Sequence, residues 1–323
     1  MKYISLPVEK SRRLSFYLAM EEYVARYLNE SECFFMWQVE PSVIFGRNQL
    51  IENEVNLDYC RQHGIHMYRR KSGGGCVYAD NNNVMFSYIT SADNVAFTFG
   101  KYMNMVVYML RQLGVEATAN GRNDVMIGDR KVSGNAFYHI PGRCIVHGTM
   151  LYDTHMEHMV GAITPSDEKL LSKGVQSVRQ RVAFLKDYIG LDLESFKTHV
   201  RHTMCREEMQ LTDADVECIE DMEKEYLSEA FIYGCNPKYT LVRRKHLEGV
   251  GEMELRMEIK NGVIVALNLV GDFFLVGELD ALLRSLKGVP LQRDFLCEAL
   301  PEQMEQVILH LQKEDFINFI LNE

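Results

Sequence analysis

Helical periodicity of apolar residues marks three stretches in the first part of the chain. Residues 11–28 predict an opening helix with Ser11 as its cap, because apolar side chains fall on one face. Residues 94–113 predict the clearest amphipathic helix. A shorter helix is predicted over residues 56–62, with Gly64 as its stop.

Short apolar runs between turn residues predict a set of strands in the same part of the chain. These runs are residues 33–39, 43–45, 65–68, 84–90, 125–127, 131–137 and 144–151. A Gly128-Asp129 pair predicts a hairpin turn before the strand over residues 131–137. From about Pro165 to Tyr226 the chain is polar and strongly charged, and it predicts helices.

The pattern changes near Pro237, and residues 252–260 then alternate strictly between apolar and polar positions. The apolar face of this strand is Met253, Leu255, Met257 and Ile259. An Asn261-Gly262 turn leads to a second strand over residues 263–270, and two or three helices close the chain. Because strands and helices do not alternate regularly, the pattern predicts an α+β protein with a large unit and a smaller C-terminal unit.

The composition is that of an ordinary globular protein. Of the 323 residues, 47% are hydrophobic and 25% are charged, which excludes a disordered chain. The formal net charge of −10 argues against a nucleic-acid partner, because phosphate binding requires a basic surface. The chain starts without the apolar segment of a signal peptide, and no apolar run is long enough for a bilayer, so we expect no membrane partner.

Eight cysteines are scattered along the chain, and no two stand at C-x-x-C spacing. This arrangement argues against a zinc ribbon or a redox pair. It is typical of free thiols in a reducing compartment, so we expect a cytoplasmic protein.

The most unusual segment is RRKSGGGCVYADNNN, residues 69–83. Three consecutive glycines between two strands let backbone N–H groups converge on an anion, and Arg69, Arg70 and Lys71 add positive charge. The segment is not a P-loop. Nor is it a dinucleotide-binding fingerprint, because Tyr78 stands where a third glycine is required. The segment therefore predicts an anion site, and the alternative is a tight turn with solvated arginines.

Two further segments carry candidate chemistry. Residues 121–137 hold two carboxylates, Asp124 and Asp129, and a lysine, Lys131, whose side chain can enter the same cleft as the glycine-rich loop. The alternative for this segment is an exposed, charged hairpin. On the apolar strand CIVHGTML, His147 is either a functional group or a hydrogen-bonded core residue.

Together, and in this order, these segments closely resemble lipoate–protein ligase A, in the wider biotin and lipoate ligase superfamily. The pattern RR-x-SGGG-x-VY-x-D fits residues 69–80, GRND fits 121–124, GDRKVSG-x-A fits 128–136, and HGT fits 147–149. A further match, GV-x-SVR-x-RV over residues 174–182, lies outside the expected cleft. The combination of motifs in one order is specific to this family.

The resemblance extends over nearly the whole chain and implies its fold. It implies a catalytic domain of the biotin/lipoate ligase type over residues 1–240, with mixed, mainly antiparallel sheets flanked by helices. It also implies a small α+β accessory domain over residues 245–323, which packs beside the active site. The chain lacks the tryptophan-rich junction of some relatives, so the way in which the two domains dock stays open.

The resemblance implies an ATP-dependent reaction in two steps. The carboxylate of lipoate attacks the α-phosphorus of ATP, which gives lipoyl-AMP and pyrophosphate. The ε-amine of an acceptor lysine then attacks the mixed anhydride and forms an amide. The implied acceptors are apo lipoyl domains, on E2 subunits of 2-oxoacid dehydrogenases, and the glycine cleavage H protein. Mg²⁺ would accompany ATP as an activator, and no tightly bound cofactor is expected.

The resemblance also implies roles for individual residues. Lys131 is the expected catalytic residue, because a compact charge suits a place between a carboxylate and a phosphate. Asp124 is the expected magnesium contact. The expected ATP and lipoyl-AMP contacts are Arg70, Ser72, Gly73, Gly74, Gly75, Cys76, Val77, Tyr78, Asn83, Asn123, Asp124 and Lys131. The expected lipoate contacts are Lys131, Phe45, His147 and Gly148.

Three alternatives stay open from the sequence. An octanoyl or lipoyl transferase of the same fold would use a cysteine nucleophile, and Cys76 and Cys144 both lie near the expected site. A non-catalytic lipoate-binding homologue would bind lipoate without activating it, although the expected lysine and arginine are intact. A metal enzyme would use Asp153, His155 and His158, for which solvated surface is the better interpretation.

Overall fold

A computed structural model describes residues 1–8, 10–49, 51–91, 95–120, 123–163, 181–233, 241–260 and 262–322. Its strands, numbered along the chain, are β1 (Lys2–Ser5), β2 (Glu32–Trp37), β3 (Ser42–Phe45), β4 (His66–Arg69), β5 (Val77–Ala79), β6 (Val84–Ser91), β7 (Ala117–Ala119), β8 (Asp124–Ile127), β9 (Arg130–Ile140), β10 (Arg143–Met150), β11 (Glu207–Gln210), β12 (Leu241–Leu247), β13 (Gly251–Lys260) and β14 (Val263–Gly271).

These strands form three sheets. The main sheet has the order β11-β1-β2-β6-β10-β9-β8-β7, and its central pairs are antiparallel. A small sheet has the order β4-β3-β5, and the C-terminal sheet has the order β12-β13-β14. The mixed, mainly antiparallel pairing agrees with the predicted α+β class.

The helices, numbered along the chain, are α1 (Leu14–Tyr27), α2 (Ile51–Glu54), α3 (Leu57–Gln62), α4 (Val95–Gln112), α5 (Met156–Ala162), α6 (Leu193–Met204), α7 (Asp213–Leu227), α8 (Glu229–Tyr233), α9 (Leu279–Leu286), α10 (Arg293–Ala299) and α11 (Lys313–Leu321). Two of them cover opposite faces of the main sheet. One face packs with α1, and the opposite face packs with α4. Successive side chains of a strand point to opposite faces, so Ile145 joins the α1 side whereas Cys144 and Val146 join the α4 side.

Most predicted elements are confirmed within a few residues, and the differences have local causes. Asn56 caps α3, accepting a hydrogen bond from the Tyr59 amide, and Gly64 follows with a φ of 63°. The predicted Ser11 cap is wrong, because α1 begins at Leu14 and its N-cap residue, Arg13, makes no side-chain capping bond. In the part of the chain that the structure describes, no helix is long and apolar enough to cross a membrane.

The strands β1 and β11, at one side of the main sheet, were not predicted from the sequence. They pair with each other in parallel, with Lys2 opposite Glu207 and Ser5 opposite Gln210, although the pattern predicts only helices in the second region. Each is short, and β11 is largely exposed, so neither carries a marked apolar alternation. Their pairing is a long-range contact that no local window contains.

The C-terminal region, residues 241–322, builds its own core and also packs against the main sheet. Met253, Leu255 and Met257 are buried beneath the closing helices, as the alternation predicts. Phe274 leaves this core and stacks on Phe137 of β9, with ring centroids 5.8 Å apart. The predicted domain boundaries at residues 240 and 245 stay a prediction.

Candidate active site

A cavity opens where the small sheet, strands β9 and β10 and the C-terminal region meet. Many of the predicted contacts line it together: Arg70, Gly74, Gly75, Cys76, Val77, Tyr78, Asn123, Lys131, His147 and Gly148. Three distant motifs therefore converge on one space. Both alternatives that left these motifs as exposed turns are inconsistent with this convergence.

The apolar wall of the cavity consists mostly of residues that no motif contains. Its members include Leu18, Trp37, Ile44, Met85, Ala136, Leu151, Met159, Ile163, Val182 and Phe274. The Trp37 indole is held in place by stacking on Tyr17, with ring centroids 5.0 Å apart and planes 12° apart. An apolar wall with a few polar groups is the usual form of a small-molecule site, and it suits a hydrocarbon tail.

The glycine-rich loop is shaped by close backbone contacts. A Cβ atom at Gly46 would lie 2.2 Å from the carbonyl oxygen of Gly74, so only glycine allows the two segments to touch. Gly74 has a φ of 86°, in the left-handed region that favours glycine. The Gly74 amide donates to the Phe273 carbonyl at 3.1 Å, so the C-terminal region covers the loop.

Arg70 holds the loop from inside. Its guanidinium donates to the carbonyls of Ile44, Gly73 and Gly75 at 3.0, 2.6 and 2.7 Å, and its Nε donates to Ser72 Oγ at 2.9 Å. Burial lowers the pKa of Arg70 to about 10, so it keeps its positive charge at neutral pH. Arg70 lines the cavity and organises the loop, and its contact with phosphate oxygens stays a prediction.

The two neighbouring cations do not add charge to the cavity, contrary to the expectation. Arg69 donates to the carbonyls of Gly46, Arg47, Gln49 and Ile232. Lys71 pairs with Glu22 and Glu225 at 2.8 Å each, on the far side of the loop. Side chains alternate between faces at the end of β4, so only the middle residue of the three points inward.

Lys131 lines the cavity and pairs with a carboxylate. Its Nζ is 2.7 Å from Oδ1 of Asp124, and the other carboxylate oxygen is 3.6 Å from Arg181. A Cβ atom at Gly134 would lie 2.3 Å from the lysine Nζ, so the missing side chain makes room for this position. The glycine of the GDRKVSG-x-A pattern therefore leaves the space that the Lys131 side chain occupies.

An asparagine pair braces the adjoining wall. Asn135 donates through its side-chain amide to the carbonyl of Asn123, and Asn123 donates in return to the carbonyl of Asn135, both at 3.1 Å. A Cβ atom at Gly148 would lie 1.8 Å from Oδ1 of Asn135, so Gly148 is required for this arrangement. Asn135 lines the cavity, and the sequence analysis missed it although it lies within a matched motif.

His147 is a cavity wall that belongs to a buried hydrogen-bond network. Its Nδ1 is 2.8 Å from Oε2 of Glu21, and its Nε2 is 2.7 Å from Ser72 Oγ. The ring is 5% exposed. Both ring nitrogens have protein partners, so the imidazole is held in place as part of the cavity wall.

Several predicted contacts lie behind the cavity wall instead of on it. Phe45 is buried beneath the Arg69 guanidinium, because its neighbour Ile44 takes the inward position of β3. Asn83 donates to Thr154 and accepts from the Tyr152 amide, which holds a turn together. The remaining predicted contacts that do not line the wall are Ser72, Gly73 and Asp124.

The two candidate cysteine nucleophiles differ in position. Cys144 is fully buried on the α4 side of the sheet, opposite the face that carries His147. Burial raises the pKa of this thiol to about 12, so it is not a nucleophile at neutral pH. Cys76 lines the cavity and is partly exposed.

The residues present do not form a metal site. Among the described residues, no three His, Cys, Asp or Glu side chains are grouped as metal ligands. Asp153 pairs with Lys186 at 2.6 Å, in agreement with a surface role. The Asp124 carboxylate faces two cations, Lys131 and Arg181, so its expected contact with magnesium does not fit this arrangement.

Two matched motifs fall partly outside the described residues. Gly121 and Arg122 of the GRND match are outside them, as are residues 174–180 of the further match. The end of that further match is described, and Arg181 lines the cavity. The expectation that this motif lies outside the cleft is therefore wrong for Arg181. The Ala183 amide donates to the Lys131 carbonyl at 2.8 Å, and this bond holds the segment that carries Arg181 beside β9.

Comparison with known sequences identifies both parts of the chain. Residues 14–205 match the family model of the lipoyl protein ligase A/B catalytic domain, and residues 236–320 match the bacterial lipoate protein ligase C-terminus. The lipoate–protein ligase LplJ of Bacillus subtilis is 36% identical and covers 94% of this chain and 95% of its own. Lipoate–protein ligase 1 of Staphylococcus aureus is 38% identical and covers 88% and 89%.

Solved structures agree with this assignment. P. falciparum LipL1 in complex with lipoate has the same fold, with a TM-score of 0.78 at 19% identity, over 100% of this chain and 99% of that one. A lipoate–protein ligase A bound with ATP has a TM-score of 0.63 at 25% identity, over 72% and 99%. The matched catalytic and C-terminal families, and relatives that span nearly the whole length, lead to one conclusion: this chain belongs to the lipoate–protein ligase family.

Proposed function

We propose that the protein activates lipoate with ATP to lipoyl-AMP and then transfers the lipoyl group to a lysine of a lipoyl domain. One observation carries the proposal: Lys131, the glycine-rich loop and an apolar wall line a single cavity. The loop suits the nucleotide phosphates, and the wall suits the tail of lipoate. In this proposal, the carboxylate and the α-phosphate meet beside Lys131.

The first step brings two anions together, and the residues of the cavity reduce the cost. The repulsion between a carboxylate and a triphosphate is large in a site from which water is excluded. Lys131 would donate to both groups as a carboxylate oxygen attacks the α-phosphorus and the bond to pyrophosphate breaks. Mg²⁺ would enter bound to the phosphates of ATP, as part of the substrate. No covalent bond to the protein is required.

The second step needs an acceptor lysine, and the likeness to known ligases suggests its source. An archaeal neighbour from Thermoplasma acidophilum, 27% identical over 74% of this chain and 98% of that one with a TM-score of 0.64, is described with its E2 lipoyl domain. We propose that this protein also modifies apo lipoyl domains, of E2 subunits or of the glycine cleavage H protein. The amine would attack the carbonyl carbon of the anhydride, form the amide and release AMP.

The cytoplasm is the compartment that we propose. Among the described residues, which exclude Cys235, no two cysteines form a disulfide, in agreement with a reducing environment.

Lipoate-dependent exchange between ATP and labelled pyrophosphate tests the proposal directly. Exchange in the absence of any acceptor is the expected result, because lipoyl-AMP forms before the lysine takes part. Lipoyl transfer to an apo lipoyl domain should then require no further nucleotide. Binding of lipoate without exchange would favour the non-catalytic homologue, and transfer that needs no nucleotide would favour a transferase.

Cysteine substitutions separate the ligase from a cysteine-dependent transferase. Cys144→Ala and Cys76→Ala should each retain adenylation and transfer within about threefold, since electrostatic positioning needs no thiolate. Each half-reaction is measured on purified variants, with circular dichroism as the control for folding. Loss of transfer in Cys76→Ala, together with a thioester trapped on the unmodified protein, would contradict the proposed function.

A further inference from the structure

A buried chain of hydrogen bonds joins the glycine-rich loop to helix α1. Arg70 Nε donates to Ser72 Oγ at 2.9 Å, and His147 Nε2 lies 2.7 Å from the same oxygen. On the other side of the ring, Nδ1 lies 2.8 Å from Oε2 of Glu21. Glu21 and Ser72 are fully buried, so water does not compete for these bonds.

The same carboxylate also reaches the apolar wall. Ser87 Oγ donates to Oε1 of Glu21 at 2.5 Å, and Trp37 Nε1 donates to Ser87 Oγ at 2.8 Å. Trp37 lines the cavity, as do His147 and Arg70, whereas Glu21 does not. Glu21 therefore lies behind the wall. It is joined to the glycine-rich loop through His147 and to Trp37 of the apolar wall through Ser87.

The chemistry of the donors sets the direction of every bond in the chain. Arginine Nε and tryptophan Nε1 have only a hydrogen to give, so Ser72 Oγ and Ser87 Oγ must accept from them. A carboxylate has no hydrogen to give, so Ser87 Oγ and His147 Nδ1 both donate to Glu21. A neutral ring with its hydrogen at Nδ1 accepts at Nε2, so Ser72 donates its own hydrogen there.

We propose that Glu21 is a positioning residue for the activation of lipoate. It holds His147 in the tautomer with its hydrogen on Nδ1, and this leaves Ser72 Oγ free to accept from Arg70. Arg70 in turn holds the two carbonyls of the glycine-rich loop. The inference rests on the proposed function and adds a residue that none of the matched motifs contains.

The substitution Glu21→Gln keeps the shape of the side chain and breaks the pattern of donors. A carboxylate accepts on both oxygens, but an amide accepts on one side and donates on the other. If the amide nitrogen faces His147, the ring moves its hydrogen to Nε2, so Ser72 Oγ must accept from both His147 and Arg70 and its own hydrogen loses its acceptor. The hydroxyl must then reorient, its bond from Arg70 is weakened and the loop is less well held. Weakening a hydrogen bond from a charged donor such as Arg70 should lower the affinity for ATP enough to raise its KM by about tenfold.

Glu22→Gln is the matched control. Glu22 is the next residue of the same helix and is also buried, but its partners are Lys71, Arg26 and Tyr226, outside the cavity. Both variants remove one buried carboxylate, so a merely structural effect should lower the thermal midpoint of each. Pyrophosphate exchange should show a KM for ATP raised about tenfold in Glu21→Gln only, with kcat changed less than about threefold.

Ser72→Ala tests whether Glu21 acts on Arg70 through the hydrogen bonds of His147 and Ser72. Because Ser72→Ala removes the central hydroxyl, adding Glu21→Gln to it should raise the KM for ATP little further. The effects of the two substitutions on this KM should therefore be far from additive. Full additivity, or equal KM values in Glu21→Gln and Glu22→Gln, would overturn the proposal.

A spectroscopic readout does not depend on activity. The ¹⁵N spectrum of the histidine rings, with the His147 signals identified by their loss in His147→Gln, should show the Nδ1-protonated tautomer in the unmodified protein and its loss in Glu21→Gln. An Nε2-protonated ring in the unmodified protein would overturn the inference even if exchange is observed. Absence of exchange in the unmodified protein would count against the proposed function alone.

Discussion

Lys131→Ala should fold and should lose lipoyl-AMP formation by about a hundredfold or more, as expected for the loss of one preorganised charge. The side chain is at the cavity and not in a core cluster, and Arg181 remains 3.6 Å from Asp124 to balance the carboxylate that loses its partner. Lipoate-dependent pyrophosphate exchange gives the rate, and thermal unfolding confirms that the variant is native. Lys131→Arg should fail as well, because a planar guanidinium does not replace a compact charge between two anions.

Lys186→Ala is the control for this prediction. Lys186 also pairs with an aspartate, Asp153, at 2.6 Å, but both side chains are exposed, so its removal should leave exchange within about twofold. Near-normal adenylation in Lys131→Ala would remove Lys131 from the mechanism.

Gly134→Ala should slow the activation of lipoate without unfolding the protein. The added methyl group would meet the Nζ and Cε atoms of Lys131 at 2.3 and 2.5 Å, and the flexible end of the lysine is the part that can move. The lysine is then displaced from its place beside Asp124. Misplacement of a catalytic group by about 1 Å can lower a rate by about a hundredfold, and we expect exchange to fall by about ten- to a hundredfold.

The matched control for this substitution is Gly100→Ala. Gly100 lies in helix α4, and a Cβ atom there would meet nothing within 4 Å, so alanine should leave exchange unchanged and stabilise the helix by about 0.5–1 kcal/mol. A normal exchange rate in Gly134→Ala would mean that the lysine acts from another position. A large fall in its thermal midpoint would mean that the backbone, and not the lysine, yields to the methyl group.

The sequence predicted the parts of the site that lie within continuous motifs. The glycine triplet, the lysine after the Gly128-Asp129 turn and the histidine of β10 each have a local pattern, and Gly74, Gly75, Lys131 and His147 line the cavity. Phe45 does not line the cavity although Ile44 does, and the choice between two adjacent strand residues depends on which face is inward. A continuous run of apolar residues, such as residues 43–45 of β3, does not reveal that face.

Contacts between distant segments were beyond any local pattern. Glu21 reads as one of two adjacent acidic residues on a helix, and only the fold brings it to His147, 126 positions away. Likewise, Phe274 belongs to the C-terminal region by position but packs with the main sheet. Side chains that lie behind the cavity wall and support it belong to no recognisable sequence motif, because tertiary structure determines which residues they contact.

The Phe274 stack and the Phe273 carbonyl on the glycine-rich loop make the C-terminal region a tethered partner of the catalytic one. A short covalent tether provides a high effective concentration, of the order of millimolar, so contacts too weak for a stable complex between separate chains suffice within one chain. The archaeal relative is described as bi-partite. If the two regions were separate chains, their interface alone would have to provide the affinity that the tether contributes here. Dilution would then separate the two chains and take the site apart.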